Sequence, residues 1–251
     1  MPRQFLRGFW KLTWLETKIF TREPMGFIGT LVVPLVLFVV LGRAFGENKP
    51  VTAPNVGVPF NAAILAAVLI AISAVQSLVA IISIYREGGI LKRLRATPLS
   101  PVTIMGAQVA VKLVFTVISL ALVMLAGRRL FPGVIGVNVF SFTIAVLLGT
   151  FGILSLGFLL ASLVPTARFA QPIGAVVLYP MLALSGLFFP VDRLPRALQA
   201  LSFLLPTTHA VALLQGIWNG SGWAAHSVNV VALLVLFVVY TALSTRVFRW
   251  E

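Results

Sequence analysis

The 251-residue sequence contains no cysteine, only six acidic residues and only two histidines. Without cysteine, the chain can form neither a disulfide nor a metal site with thiolate ligands. His209 and His226 are far apart and have no acidic neighbours, so we expect no metal site. The carboxylates lie at the edges of apolar runs or between them, and they are Glu16, Glu23, Glu47, Glu87, Asp192 and Glu251. No acidic pair lies inside a run, and we predict that the chain is not an enzyme.

Positive charge is in excess, with 19 Lys and Arg residues and a formal net charge of +13. Most of these cations lie at the ends of apolar runs, where they orient a membrane protein and contact anionic lipid headgroups. We therefore expect membrane lipid as a partner and no nucleic acid. The sequence also lacks a Gly-rich phosphate loop with its lysine, so we expect no ATP and no other cofactor in this chain.

Long apolar runs make up most of the sequence. Hydrophobic residues account for 59% of the chain and charged residues for 10%, against about 25% charged residues in soluble proteins. This composition is typical of an all-α integral membrane protein. Pro34 lies inside the first run, where we expect a kink. Six runs reach the roughly 20 residues that a crossing helix needs. They predict spans near residues 27–46, 57–84, 102–126, 137–163, 169–190 and 223–247.

Residues 1–24 are predicted to form a helix that lies in the membrane interface. Basic residues recur at spacings of four and seven, so they share one helical face, with apolar residues mostly on the other. Pro24 ends this helix. Glu16 falls on the apolar face, and two interpretations are open for it. It contacts another part of the protein, or it makes a local contact with Lys11 or Phe20.

Residues 86–100 are too polar to lie in lipid, although apolar runs flank them on both sides. The segment carries one carboxylate and four cations, which are Glu87, Arg86, Lys92, Arg93 and Arg95. Its pattern predicts a short helix followed by a sharp turn at the cytoplasmic membrane surface. A helix in that position is suited to receive a push from a soluble partner.

The basic residues predict which side of the membrane each end of the chain occupies. Twelve of the 19 Lys and Arg residues fall on the side of the N-terminus, six fall on the other side, and Lys112 lies within the membrane. Because cytoplasmic loops are richer in Lys and Arg, both termini are predicted to be cytoplasmic. The first long apolar run begins only near Phe27, after a basic segment, so we expect no cleavable signal peptide.

Residues 191–222 lie between the last two predicted spans and form two pieces that are each too short to cross. The piece at 196–205 is amphipathic, the piece at 209–218 is apolar, and Pro206-Thr207-Thr208 is predicted to interrupt them. Irregular backbone at membrane depth must be buried in protein. We therefore predict an outer re-entrant segment of two short helices between spans five and six.

Lys112 is the one charged residue well inside a predicted span, about ten residues or 15 Å from its start. Two interpretations are open: a functional intramembrane charge, or a side chain that extends to the inner headgroups. Gln108 and Thr116 lie one turn away on either side and predict a polar stripe. Other polar residues inside spans either line a shared surface or form interhelical hydrogen bonds. They are Ser73, Gln76 and Ser77 in the second span, and Gln171 and Tyr179 in the fifth.

Two strings resemble the permease subunit of type-2 ATP-binding-cassette (ABC) exporters. One runs from Glu87-Gly88-Gly89 to Thr97-Pro98-Leu99-Ser100, and the other from Gly186-Leu187-Phe188-Phe189-Pro190 to Leu205-Pro206. The resemblance covers essentially all of residues 1–251 as a single transmembrane permease domain. It implies that the first string is a cytoplasmic coupling helix seated on a separate ATPase subunit, and that the second forms the outer re-entrant helices. The residues assigned to ATPase contact are Glu87, Gly88, Leu91, Arg93, Leu94 and Arg95.

The same resemblance implies a dimer of permeases, either a homodimer or a heterodimer with a related permease, together with two copies of the ATPase. ATP and Mg are then bound by the partner ATPase. Substrate passes between the second and fifth spans of the two copies. The candidate pathway residues are Ser73, Gln76, Lys112, Gln171 and Tyr179.

The implied function is export across a bacterial cytoplasmic (inner) membrane by alternating access. A pathway with few charges favours amphipathic small molecules, such as drugs or antibiotics, or lipids. A lipid-linked polysaccharide is the alternative, but it would favour aromatic rings, and the second span has only Phe60 and Tyr85 near its ends. A membrane enzyme would need an intramembrane acidic or histidine cluster. A passive channel or scaffold would not need the coupling segment.

Overall fold

A computed structural model describes residues 2–22, 24–45, 61–90, 101–131, 137–164 and 166–247, and all regular structure in these ranges is helical. A π-helix (Ile28–Val32) joins the second and third α-helices, and a short 3-10 turn (Val191–Arg193) precedes the eighth. The α-helices are α1 (Pro2–Arg22), α2 (Pro24–Phe27), α3 (Val33–Phe45), α4 (Ala62–Glu87), α5 (Pro101–Leu130), α6 (Val139–Leu163), α7 (Ala167–Ala183), α8 (Arg196–Phe203), α9 (Pro206–Trp218), α10 (Gly222–Ala225) and α11 (Ser227–Val247).

The long apolar helices confirm an all-α integral membrane architecture. By length and composition, α4, α5, α6 and α11 are each able to cross a membrane. The pair α8 and α9 passes the same test as one broken span. The helix formed by Ile28–Ala44 is apolar but shorter, and α7 has 17 residues. The total of six spans therefore stays a prediction.

Helix α4 lies at the centre of the bundle and packs against α3, α5, α6 and α7. Glycines on α6 allow its neighbours to approach closely. A Cβ atom on Gly157 would lie 3.0 Å from Val75 Cγ1 of α4, and one on Gly149 would lie 3.0 Å from Ala210 Cβ of α9. Small residues at such contacts let membrane helices pack backbone to backbone.

The predicted irregularity at Pro34 takes the form of the π-helix that precedes α3. Pro34 has no N–H to donate to the carbonyl of Thr30 four residues earlier. Ser119 of α5 donates a hydrogen bond of 2.7 Å to that carbonyl. The polar backbone group left by the proline is thus satisfied by a neighbouring helix, as buried backbone groups in membranes must be.

The fifth predicted span, 169–190, is helical only as far as Ala183, where α7 ends. The chain then turns, and Gly186 has a φ of 86°, in the left-handed region that favours glycine. The prediction extended the helix too far because residues 184–189 are mostly apolar, and hydrophobicity alone does not indicate this turn.

Helices α8 and α9 meet at an angle of 82°. Pro206 is the first residue of α9, where its missing N–H costs nothing. The prediction that Pro206-Thr207-Thr208 interrupts the helices is therefore wrong, and the break lies at Leu204 and Leu205. The outer, re-entrant placement of this pair stays a prediction.

Candidate coupling site and transport surface

Helix α4 ends in a glycine turn at the start of the predicted coupling segment. The N–H of Gly88 donates to the carbonyl of Ile84 at 2.9 Å, and the N–H of Gly89 donates to that of Arg86 at 3.1 Å. Gly89 has a φ of 64°, which is the usual conformation of a glycine that terminates a helix. Four of the predicted ATPase contacts lie outside the described residues, and they are Leu91, Arg93, Leu94 and Arg95.

Arg86 and Glu87, the last two residues of α4, bind the connection between α6 and α7. Two guanidinium nitrogens of Arg86 donate to the carbonyls of Val164 and Ala161, each at 2.8 Å. Glu87 Oε1 accepts a hydrogen bond of 2.9 Å from the N–H of Ala167, the first residue of α7. The carbonyl end of a helix attracts cations and the N–H end attracts anions. Each charge therefore lies at the helix end that suits it.

Glu87 supplies a cap that α7 does not provide for itself. Thr166 occupies the N-cap position, but its side chain makes no capping hydrogen bond. In the sequence, Arg86 is one of four cations in a polar segment, and no neighbouring residue indicates a partner for it. Its acceptors lie 75 and 78 residues further along the chain, so no local pattern could have indicated them.

Glu16 is buried where α1 packs against the bundle, with 2% of its surface exposed. The hydroxyl of Tyr85, on α4, lies 2.9 Å from each of its carboxylate oxygens. Of the two interpretations left open by the sequence, contact with another part of the protein is therefore confirmed.

Lys112 is also buried, with 1% of its surface exposed. Its ammonium group lies 2.5 Å from the hydroxyl of Ser77 on α4 and 4.0 Å from the centre of the Phe20 ring on α1. Gln108 and Thr116 are buried on the same helix, which confirms the predicted polar stripe. The side chain of Lys112 is thus held inside the protein, and its role in transport stays a prediction.

Glu16, Tyr85, Ser77 and Lys112 together form a buried polar cluster that we call the α1 junction. Burial raises the pKa of the Glu16 carboxyl above its ordinary value of 4.5, although Tyr85, Gln108 and the charge of Lys112 act in the opposite direction. Loss of hydration penalises the charged carboxylate more than these neighbours compensate. The α1 junction is therefore sensitive to protonation of Glu16.

Gln171 and Tyr179 lie on the exposed face of α7. On this face Val176 is 74% exposed and Tyr179 is 55% exposed. Gln76 of α4 is half-buried against the opposite face, where its Cγ atom would lie 3.7 Å from a Cβ atom on Gly174. This contact places α4 directly beside α7.

The structure divides the five predicted pathway residues into two groups. Gln171 and Tyr179 on α7, and the half-buried Ser73 and Gln76 on α4, lie on two adjoining helices. Lys112 forms the second group, because it lies on α5 in the α1 junction and contacts α4 through the buried Ser77, one turn after Ser73.

A family model described as "ABC-2 type transporter" matches residues 7–218, which include the α1 junction, Arg86, Glu87 and all of α7. The chain belongs to the ABC-2 type transporter family. It is therefore a multi-pass membrane protein and a transmembrane transport component, as the resemblance of its two motif strings predicted.

Two curated proteins are similar to parts of this ABC-2 permease. Nodulation protein J of Rhizobium leguminosarum bv. viciae is 34% identical over 95 residues, which are 38% of this chain and 37% of that protein. The inner membrane transport permease YhhJ of Escherichia coli (strain K12) is 31% identical over 145 residues, which are 55% of this chain and 37% of that protein. The matched part of the ABC-2 permease thus spans just over a third of the length of each relative.

Proposed function

We propose that this ABC-2 permease is the transmembrane subunit of an ATP-driven exporter. Two permease copies, identical or related, act with two copies of a separate ATPase. ATP binding closes the ATPases, displaces the coupling segments and rocks the permeases into an outward-open state. The observation that carries the proposal is the family match over residues 7–218, which contains the whole of the predicted coupling segment at 86–100.

The bacterial inner membrane is the proposed location, with both termini in the cytoplasm. The Escherichia coli relative is named an inner membrane transport permease, which supports this location. The excess of Lys and Arg on the side of the N-terminus supports the orientation.

An amphipathic small molecule or a lipid suits the exposed face of α7. Exposed residues recur there every three or four positions and form one stripe, which includes Phe169, Pro172, Val176 and Tyr179. Gln171 adds an amide, and the sequence has no charged residue between Arg168 and Asp192. A mostly apolar surface with a few polar groups is what binds a molecule with both kinds of group.

A lipid-linked polysaccharide is the second candidate substrate, because Phe169 and Tyr179 offer exposed aromatic rings. These rings are ten residues apart, or about 15 Å along the helix. Tyr85, one of the two aromatic residues noted in the second span, is buried against Glu16 and offers no such surface. Two widely separated rings favour the amphipathic molecule or lipid over a continuous glycan.

Native mass spectrometry of the chain, extracted gently from its own membranes, tests the proposed assembly. We expect a complex of two permeases with two nucleotide-binding subunits. A retained lipid, drug or glycan would identify the substrate class. A chain found alone, or crosslinked to a partner without ATPase activity, would contradict the exporter and favour a channel or scaffold.

Charge reversal of Arg93 tests the coupling segment in proteoliposomes that contain the permease and its ATPase. ATP-dependent movement of a fluorescent phospholipid and of an amphipathic dye is the readout. We expect Arg93→Glu to abolish this movement while the permease stays folded. Arg129→Glu, at the exposed opposite end of α5, is the matched control and is expected to transport normally. Normal transport by Arg93→Glu would contradict the assignment.

A further inference from the structure

The last two residues of α4 hold both helix ends of the α6–α7 connection. Arg86 binds the carbonyls of Ala161 and Val164 at the end of α6, and Glu87 binds the N–H of Ala167 at the start of α7. These contacts join positions that are about 80 residues apart in the sequence, and they use one cation and one anion in adjacent positions.

The two charges bind the two ends of one short connection, Arg86 at the end of α6 and Glu87 at the start of α7. Only residues 164–166 separate α6 from α7. The guanidinium of Arg86 lies on the negative end of one helix dipole, and the carboxylate of Glu87 lies on the positive end of the other. A displacement of the end of α4 therefore acts on both helix ends together.

The coupling segment leaves α4 at the same place. Gly88 and Gly89 close the turn directly after Glu87 through hydrogen bonds to Ile84 and Arg86. Any force on the segment that follows reaches Arg86 and Glu87 before it reaches other residues of α4. One carboxylate oxygen of Glu87, Oε1, accepts a hydrogen bond from the N–H of Ala167, so this side chain has a partner within the permease.

Helix α7 has a weak point just beyond this attachment. Pro172 has no N–H to donate to the carbonyl of Arg168, so one hydrogen bond of the helix is missing after the first turn. The first turn is tied to α4 through Glu87, and the following residues present the exposed face with Val176 and Tyr179. Movement of the first turn can therefore bend α7 at Pro172.

We propose that Arg86 and Glu87 are positioning residues that transmit movement of the coupling segment to the first turn of α7. This inference rests on the proposed function, because it requires an ATPase that displaces the segment. It assigns Glu87 to a contact inside the permease, in place of the contact with the ATPase that the family resemblance implies, and it adds Arg86.

Distances between spin labels test the link in the complex of permease and ATPase. The natural chain has no cysteine, so labels attach only at introduced sites. One pair joins Ile84→Cys on α4 to Leu125→Cys on α5, and the other joins Phe169→Cys on α7 to the same Leu125→Cys. All three positions are exposed. Labelled permease is diluted into unlabelled permease, so that each distance belongs to one copy.

In the otherwise wild-type complex, both distances are expected to change together when a non-hydrolysable ATP analogue binds. In the double variant Arg86→Ala and Glu87→Ala, the Ile84 distance should still change, and the Phe169 distance should not. The ATPase should remain bound and active, while transport per ATP hydrolysed falls about tenfold, within the range typical of coupling between two sites. Arg129→Ala, at the exposed opposite end of α5, should match the wild type.

The conservative variants Arg86→Lys and Glu87→Gln keep a donor and an acceptor. They should retain the joint movement, which separates loss of the link from loss of the fold. Three results would overturn the inference: joint movement and full transport in the double variant, no movement of either distance in the wild type, or loss of the ATPase from Glu87→Ala alone. Wild-type permease that binds no ATPase at all would instead refute the proposed function.

Discussion

The Tyr85 hydroxyl lies 2.9 Å from both carboxylate oxygens of Glu16, and this contact joins the N-terminal helix to α4 across 69 residues of sequence. Tyr85 directly precedes Arg86 and Glu87. The attachment of α1 and the caps on α6 and α7 therefore depend on three consecutive residues at one end of α4. Changes at this end are expected to affect stability and coupling together.

Replacing Tyr85 by phenylalanine is expected to destabilise the protein by about 1–3 kcal/mol, because a buried carboxylate loses its donor. The thermal unfolding midpoint in detergent is the measurement. Tyr240→Phe is the matched control, since its hydroxyl donates to the uncharged carbonyl of Leu204 and not to a buried carboxylate. Equal decreases in the unfolding midpoint of the two variants would show that the contact with Glu16 contributes no more stability than the contact with Leu204.

Glu16→Gln is expected to flatten the dependence of stability on pH. Because the pKa of Glu16 is raised in the folded protein, protonation of Glu16 contributes stability that is complete below its ordinary pKa of 4.5. That contribution is lost as the pH rises through the folded-state pKa. Unfolding midpoints across this window are the measurement, with the exposed Asp192→Asn as the control. A slope unchanged in Glu16→Gln would mean that another group titrates there.

Glu16 and Lys112 are expected to be energetically coupled, because both lie in the α1 junction and the charge of Lys112 acts on the Glu16 carboxyl. In a double-mutant cycle of Glu16→Gln and Lys112→Met, we expect a coupling energy of about 0.5–3 kcal/mol. Unfolding free energies of the wild type, both single variants and the double variant are the measurement. Lys112→Met with Asp192→Asn provides an additive control pair. Additive changes in unfolding free energy in the first cycle would contradict an energetic coupling between Glu16 and Lys112.

Gly157→Ala is expected to destabilise the α4–α6 contact. The new Cβ atom would lie 3.0 Å from Val75 Cγ1 and 3.2 Å from Leu78 Cδ2, and overpacking of this kind costs about 1–3 kcal/mol. Gly29→Ala is the matched control, because a Cβ atom there meets nothing within 4 Å. The measurement is the unfolding midpoint of each variant. An unchanged midpoint for Gly157→Ala would mean that the α4–α6 contact accommodates the added methyl group without loss of stability.

Features that repeat within one helix could be predicted from the sequence. The basic residues of α1 recur at helical spacing, and α1 ends at Arg22 before Pro24 as expected. The stripe of Gln108, Lys112 and Thr116 was also visible, because residues one turn apart share a face. In both cases the signal and the structure lie within the same short segment.

Contacts between distant segments could not be predicted in this way. Nothing near Glu16 indicates Tyr85, and nothing near Arg86 indicates Val164, because each pair forms only after the helices pack. The break between α8 and α9 was misplaced for a related reason. A proline within an apolar stretch predicts a break in the helix, but at the first position of a helix proline needs no N–H donor and the helix can begin there.

The length of α7 has a consequence for the surrounding bilayer. Its 17 residues extend about 25 Å, several ångströms less than the roughly 30 Å of hydrocarbon in a typical membrane. A spanning segment this short is matched by local thinning of the lipid, which draws headgroups and water inward. In the predicted six-span arrangement, the bilayer is then thinnest beside the face that bears Gln171 and Tyr179. For the proposed exporter, we therefore expect the acyl-chain length of the surrounding membrane to alter the rate of transport.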